Sequence, residues 1–223
     1  VGVVPGDTVM FHSSLSSMGH VVGGPGTVIE GFLQAVGPEG TVACPTLWWT
    51  GKQDLADFDV DTSPSYPGII TEIFRQRPDS IRSNNPTHSV SAIGPRAAEL
   101  TADHGAYGLR PCVFGDTAFA EASPWQRLYD WNAAYCFIGV DFTVNTMGHY
   151  CEVRFAEWAL QQAPPGRHGG AAVQHLGGRL IGRAHRRSEL GLCLLHMLRV
   201  GHKALAHEQP QVAPVGRRGT GVP

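Results

Sequence analysis

Asp7-Thr-Val-Met-Phe-His-Ser-Ser14 is the stretch on which the fold turns. Thr8 to Phe11 is a short apolar run bounded by turn-forming residues, which predicts a buried strand that emerges into a polar turn. Ser16 to Gly26 reads as a loop, with Gly19, Gly23, Gly24, Pro25 and Gly26 as breakers. Val28, Ile29, Phe32, Leu33 and Val36 then recur at helical spacing, predicting a helix over Thr27–Val36 that Gly37-Pro38 stops. Gly40-Thr-Val-Ala-Cys-Pro45 is a second strand. A chain that opens strand, helix, strand predicts an α/β layered fold.

Working outward, residues 46–67 form a long loop carrying Trp48, Trp49, Asp54, Asp57, Asp59 and Asp61, and loops of that length are usually functional or disordered. Gly68 to Arg77 predicts a helix with Ile69, Ile70, Ile73 and Phe74 facing inward. Ser89 to Ile93 is a short strand, and Gly105 to Ser123 is irregular. Pro124 to Tyr129 opens a short helix with Pro in its favoured first position. The continuous apolar run Ala134-Tyr-Cys-Phe-Ile-Gly-Val140 predicts a central strand. Val144 to Leu160 is a loop leading into a helix. From Gln161 onward Gly, Arg, His, Ala and Pro dominate, and only Ile181 and Leu190 to Val200 offer a helical core face. The chain therefore divides into a body, 1–160, and a basic segment, 161–223, that completes the same domain or is partly disordered.

The 223 residues are 42% hydrophobic and 16% charged, enough apolar content for a core and too much for disorder. No run approaches the ~20 apolar residues of a membrane span. Pro5, Gly6 and Asp7 interrupt the first apolar stretch, which argues against a secretory signal. Val1 in place of an initiator Met predicts that a leading segment precedes it. The five cysteines form no CxxC pair, and their odd number fits reduced thiols in a cytoplasm. Residues 1–160 carry 17 Asp+Glu against 8 Lys+Arg, while 161–223 carry 2 against 9. So acidic a body disfavours nucleic acid and fits either plain solubility or a cleft that steers in a polycation.

His149-Tyr-Cys-Glu152 is the most informative pair. Residues three apart on a helix share a face, so a carboxylate can fix one ring nitrogen and leave the other as a base. The spacing alone describes a surface pair equally well. Its position after the 134–140 run favours chemistry, because ligands of α/β sheets bind beyond the carboxyl ends of strands. His12-Ser13-Ser14-Leu15 ends a strand in the same way, and its hydroxyls and amides could hold a phosphate or polarise a carbonyl. Gly23-Gly24-Pro25-Gly26 opens a helix toward any anion, a weak signal by itself. The aspartates of 46–67 lack the pattern of a calcium loop, and the histidines lack metal spacing, so no metal is expected.

In series, these motifs resemble the aminoglycoside 3-N-acetyltransferases. The resemblance runs through Val3 to Leu15, Gly23-Gly24 with Thr27-Val-Ile29, and Gly40 to Thr46. It continues through Arg82-Ser83, Pro86-Thr-His-Ser-Val90, Ser123-Pro124, and Asn145-Thr146 leading to His149 and Glu152. It spans about 1–158 and departs at Asn85, where a His is expected before Pro86. It implies a three-layer α/β/α fold with a central mixed sheet, distinct from the GNAT acetyltransferases. The implied reaction is acetyl transfer from acetyl-CoA to the 3-amino group of a 2-deoxystreptamine ring, in the cytoplasm, by a monomer or homodimer, without metal, nucleic acid or membrane. Two other readings stay open: an acetyltransferase for another amine, and a non-catalytic CoA-binding relative. The resemblance implies His149 as base, Glu152 as its orienting carboxylate and Thr146 or the amides of Ser13 and Ser14 as oxyanion donors. It further implies acetyl-CoA contacts from His12, Ser13, Ser14, Leu15, Gly23, Gly24, Ser89 and Ser123, with Asp57, Asp59 and Glu72 meeting the cationic antibiotic.

Overall fold

The computed structural model describes residues 2–161. Ile181, the helical face expected at Leu190–Val200 and the rest of the basic segment lie outside the described residues. Five strands form one sheet in the order β3-β4-β2-β1-β5: β1 Thr8–Ser13, β2 Thr41–Pro45, β3 Ile81–Arg82, β4 Val90–Ile93 and β5 Ala134–Ile138. β1 pairs in parallel with β2 and, through Val9 opposite Ala134 to Ser13 opposite Ile138, with β5. β4 runs antiparallel to β2 and β3, so the sheet is mixed.

Successive side chains of a strand point to opposite faces, and β1 divides the core accordingly. Val9 and Phe11, with Val42 and Cys44, pack against Ile29, Phe32 and Val36 of α1 (Gly24–Val36) and Ile70 and Phe74 of α2 (Ile69–Arg75). Met10, Ala43, Val90 and Ala92 face the other way. They meet Leu100 of α3 (Ala97–Thr101), Trp125 and Leu128 of α4 (Pro124–Asp130), and Met147, Tyr150 and Val153 of α5 (Thr146–Gln161). Each large apolar side chain so buried is worth about 1.5–3 kcal/mol, which makes these two seams the main source of stability. Helices on both faces of a mixed sheet give the expected three-layer α/β/α architecture.

Two expectations are corrected. In α2 the inward residues are Ile70, Thr71 and Phe74, while Ile69 and Ile73 are exposed. Isoleucines at adjacent and at third positions, on so short a helix, leave the phase of the stripe undetermined from spacing. β5 is an edge strand among the described residues, half-buried at every position, rather than a central one. β3 and α3 are too short to announce themselves in the sequence.

Because β4 reverses direction, the turn before it lies at the same rim as the carboxyl ends of β1, β2 and β5. That rim gathers the chemistry.

Candidate functional site

α5 starts at this rim, where Asn145 Oδ1 accepts from the Met147 amide at 3.1 Å. Met147, Tyr150 and Val153 fix the helix against the sheet. The next positions around then place His149 and Glu152 side by side, with Nδ1 and Oε2 3.0 Å apart. A carboxylate only accepts, so Nδ1 carries the proton and Nε2 is left with its lone pair. The His149 side chain is 32% exposed and that of Glu152 14%, so the ring is partly open to solvent while the carboxylate is shielded. Thr146, one helical turn earlier, is buried.

Around the dyad the imidazoles are kept uncharged. His88, in the turn before β4, packs its ring 4.6 Å from Phe114, 4.5 Å from Phe119 and 6.4 Å from His149. Burial, and secondarily the nearness of the ionisable His149 and His104 rings, push its pKa down to about 3, and its Nδ1 has no partner. Burial likewise lowers His104 to about 4. Its Nε2 donates to the Ala118 carbonyl at 3.1 Å, so Nδ1 accepts from the Ser83 hydroxyl at 2.9 Å. His12 lies 5.3 Å from the Phe137 ring, and burial lowers it to about 4. Its Nε2 and the hydroxyl of neighbouring Tyr135 are both buried without a partner. Sequence reasoning did not single out His88 and His104, since nothing in spacing shows that either ring lies near the dyad.

A partly open imidazole, oriented by a carboxylate at the carboxyl rim of an α/β sheet, is the arrangement of a general base. The model of one family, aminoglycoside 3-N-acetyltransferase, matches residues 10–188. The chain belongs to that family. Aminoglycoside N(3)-acetyltransferase III of Serratia marcescens is 30% identical over 169 residues, covering 68% of this chain and 60% of the relative. Among solved structures, AAC-IIIb in its binary complex with CoASH is 28% identical with a TM-score of 0.59, covering 75% of this chain and 63% of that one. A histidine-to-alanine variant of AAC(3)-IVa in complex with a gentamicin is 29% identical with a TM-score of 0.59, covering 70% and 56%. The chain spans about 60% of the length of the curated relative.

Within this acetyltransferase fold the residues expected to hold acetyl-CoA separate into two groups. His12, Ser13, Ser14 and Leu15 do sit at the carboxyl rim, and Gly23 and Gly24 open α1. Gly23 has φ +79° and a Cβ there would collide with Thr27 Oγ1, so the turn requires glycine. The Ser14 amide, expected as an oxyanion donor, is already given to the Ile138 carbonyl at 3.0 Å, because the β1–β5 ladder continues one residue past the strand. The Ser14 hydroxyl bonds those of Ser16 and Ser17 at 3.1 and 2.9 Å. Ser89 and Ser123 are fully buried. The Ser89 hydroxyl donates to the Thr46 carbonyl at 2.7 Å, and Ser123 caps α4 by accepting from the Gln126 amide at 3.2 Å. Both hold the fold and cannot touch a ligand from these positions.

The acidic loop is tied to α2 through the Ser65 amide on Glu72 and through Arg75, which donates to the Asp61 carbonyl. Arg82 reaches under it, donating to the carbonyls of Ser63 at 2.5 Å, Val60 at 3.4 Å and Thr46, with its guanidinium 5.0 Å from the Phe58 ring. Asp59 Oδ1 accepts from the amides of Asp61 and Thr62 at 3.0 and 2.7 Å, and the Thr62 bonds hold its carboxyl below the usual range. Glu72 is committed further still, to the Arg75 guanidinium at 2.5 Å, the Ser65 amide at 2.6 Å and Gln76. Asp57 is exposed. Of the three acidic residues expected to meet a cationic ligand, Asp57 is therefore the freest and Glu72 the least so.

Among the described residues no group of three or more His, Cys, Asp or Glu is arranged to hold a metal. Cys44, Cys112 and Cys136 are free thiols, and Cys193 lies outside the described residues. No described helix is long and apolar enough to cross a membrane.

Proposed function

We propose that the chain transfers the acetyl group of acetyl-CoA to the 3-amino group of the 2-deoxystreptamine ring of an aminoglycoside, conferring resistance. The observation that carries the reading is the 3.0 Å contact between His149 Nδ1 and Glu152. Relatives captured with CoASH and with a gentamicin support the choice of substrates. An amine is an ammonium ion at neutral pH and must lose a proton before it can attack. His149 Nε2 takes that proton, and the free amine adds to the thioester carbonyl. Glu152 stabilises the imidazolium and keeps the ring in its tautomer, as the carboxylate of a catalytic triad does. The oxyanion needs a donor, and Thr146 is the expected residue that shares α5 with the dyad. The intermediate then collapses, expelling the CoA thiolate, which takes the proton from His149, while the nitrogen releases its remaining extra proton to solvent to give the neutral amide. The products are the N-acetylated antibiotic and free CoASH. Consumption of acetyl-CoA, in a chain with free thiols, supports a cytoplasmic location, and the acting species is read as a monomer or homodimer.

His149→Ala is expected to lower kcat at least ~10²-fold, the usual contribution of a general base, in an assay of thiol release with gentamicin. Acetyl-CoA binding by calorimetry should stay within about twofold of wild type, since the ring acts on the amine. Glu152→Gln should be impaired less, because an amide still contacts the ring but cannot stabilise its charge. A His149→Ala protein retaining more than a tenth of kcat would remove His149 as the base.

A further inference from the structure

One hydrogen bond to a carboxylate leaves an imidazole free to swing about that bond, so Glu152 alone does not fix where His149 Nε2 points. A second constraint is present. The Phe114 ring lies 4.9 Å from that of His149 at 51°, and the His88 ring meets it edge-on at 87°. Phe114 comes from an irregular segment with no helix or strand of its own, yet its backbone is pinned from several directions. A tight turn closes behind it, with the Gly115 amide on the Cys112 carbonyl at 3.1 Å and the Arg110 amide on the Asp116 carbonyl at 2.9 Å. From the turn before β4, Thr87 Oγ1 donates to the Phe114 carbonyl at 3.0 Å and Asn85 Nδ2 to Thr117 Oγ1 at 3.0 Å. Asn85 Oδ1 also gathers the amides of Thr87 and His88, at 3.1 and 2.8 Å. Toward α5, Arg110 binds Glu157 at 3.2 Å, and it also donates to the Phe119 carbonyl at 2.9 Å. The segment is thus stapled to the helix that carries the base and to the turn beside it.

We propose that Phe114 is a positioning residue for His149, braced by Asn85 and Thr87, and that it acts by holding the imidazole in the orientation that receives the substrate proton. The inference rests on the general-base reading of His149. A constraint of this kind matters because small errors in placing a catalytic group cost large factors in rate.

The test is a double-mutant cycle on the full chain, with kcat and both KM values measured against acetyl-CoA and gentamicin. Phe114→Ala should lower kcat about tenfold or more with each KM within about threefold, and Phe114→Tyr should restore most of it. Thr87→Val, which keeps shape but loses the hydroxyl, should show the same split more weakly, and Thr87→Ser should behave as wild type. In a His149→Ala background, Phe114→Ala should cost almost nothing more, since residues that act as a unit are non-additive. An equal loss in both backgrounds, or wild-type kcat in Phe114→Ala, overturns the proposal. A His149→Ala protein that stays active instead overturns the base reading, and the two failures are distinct. If Phe114→Ala does not fold, judged by circular dichroism, the Thr87 pair decides.

Discussion

Two long irregular segments cross the rim of the sheet, 46–67 and 102–123, and they are held in contrasting ways. The first is pinned by half-buried Arg82, whose donors go mostly to backbone carbonyls, and by Arg75 and Glu72, which bond the Asp61 carbonyl and the Ser65 amide. Its carboxylates, as at Asp59, bond their own backbone. The second is pinned by neutral hydrogen bonds from Asn85, Thr87 and His104 and by the Arg110–Glu157 pair, and it sets an aromatic ring against His149. An acidic, Trp-containing loop draws the eye as the place for a cationic substrate. The plainer segment is the one in contact with His149. On the proposed function the difference predicts separate duties: the first segment should bear on KM for the acceptor, the second on kcat.

Acid should divide the two segments most sharply. His88 and His104 have lowered pKa values in the fold, about 3 and 4, against about 6.5 for a free imidazole. The opened state therefore binds more protons, and the stability these rings contribute is complete above pH 6.5 and lost as the pH falls toward the folded values. Each ring contributes a slope of about 1.4 kcal/mol per pH unit in that window. Asp59 has a lowered carboxyl, so its contribution persists until the pH drops below the ordinary carboxylate range. Between pH 7 and 5, hydrogen-exchange protection corrected for intrinsic rates should fall tenfold or more in 102–123 and hardly change in 46–67. Equal loss in both segments would break the distinction.

Two arginines, half-buried Arg82 and buried Arg110, sharpen it next. Arg82→Met and Arg110→Met each leave several acceptors without a donor, and each should destabilise the protein by about 2–4 kcal/mol in urea unfolding. Their kinetic signatures should be opposite. Arg82→Met is expected to raise KM for the antibiotic with kcat nearly kept, and Arg110→Met to lower kcat with KM nearly kept. Crossed signatures would reassign the two loops.

The smallest effect is at the surface. Replacing Asp57 and Asp59 together by Asn should raise KM for the antibiotic several-fold, and by less in high salt, where exposed charges are screened. KM for acetyl-CoA should not move. An unchanged antibiotic KM would put the acceptor elsewhere along the rim.

The sheet and its first helix are legible in the sequence because Val9, Phe11, Ile29, Phe32 and Val36 repeat at the periods of strand and helix. The dyad is legible because a helix converts a spacing of three into contact, and α5 is a helix there. What fails has no local signature. The apolar run 134–138 describes an edge strand as readily as a central one, since half-buried faces still favour apolar residues. Ser89 and Ser123 look available in sequence, yet the partner of Ser89 is Thr46, 43 residues away. The Ser14 amide looks free for the same reason, its acceptor being Ile138. Phe114 touches His149 across a gap in sequence that no period spans.

The pairing of β1 with β5 also sets the order in which the molecule can be built. Val9 meets Ala134 from the far end of the described chain, and at the usual pace of synthesis that stretch takes on the order of ten seconds to emerge from a ribosome. Until then one side of β1 has no strand beside it, and the rim beside His12 and Ser13 stays unfinished. Long-range pairings of this kind are slow to form and leave strand edges open meanwhile. β5 is the last of the described strands to emerge, and α5, which carries His149, follows it. During translation, His149 therefore emerges only after the strand that pairs with β1 on the side away from β2.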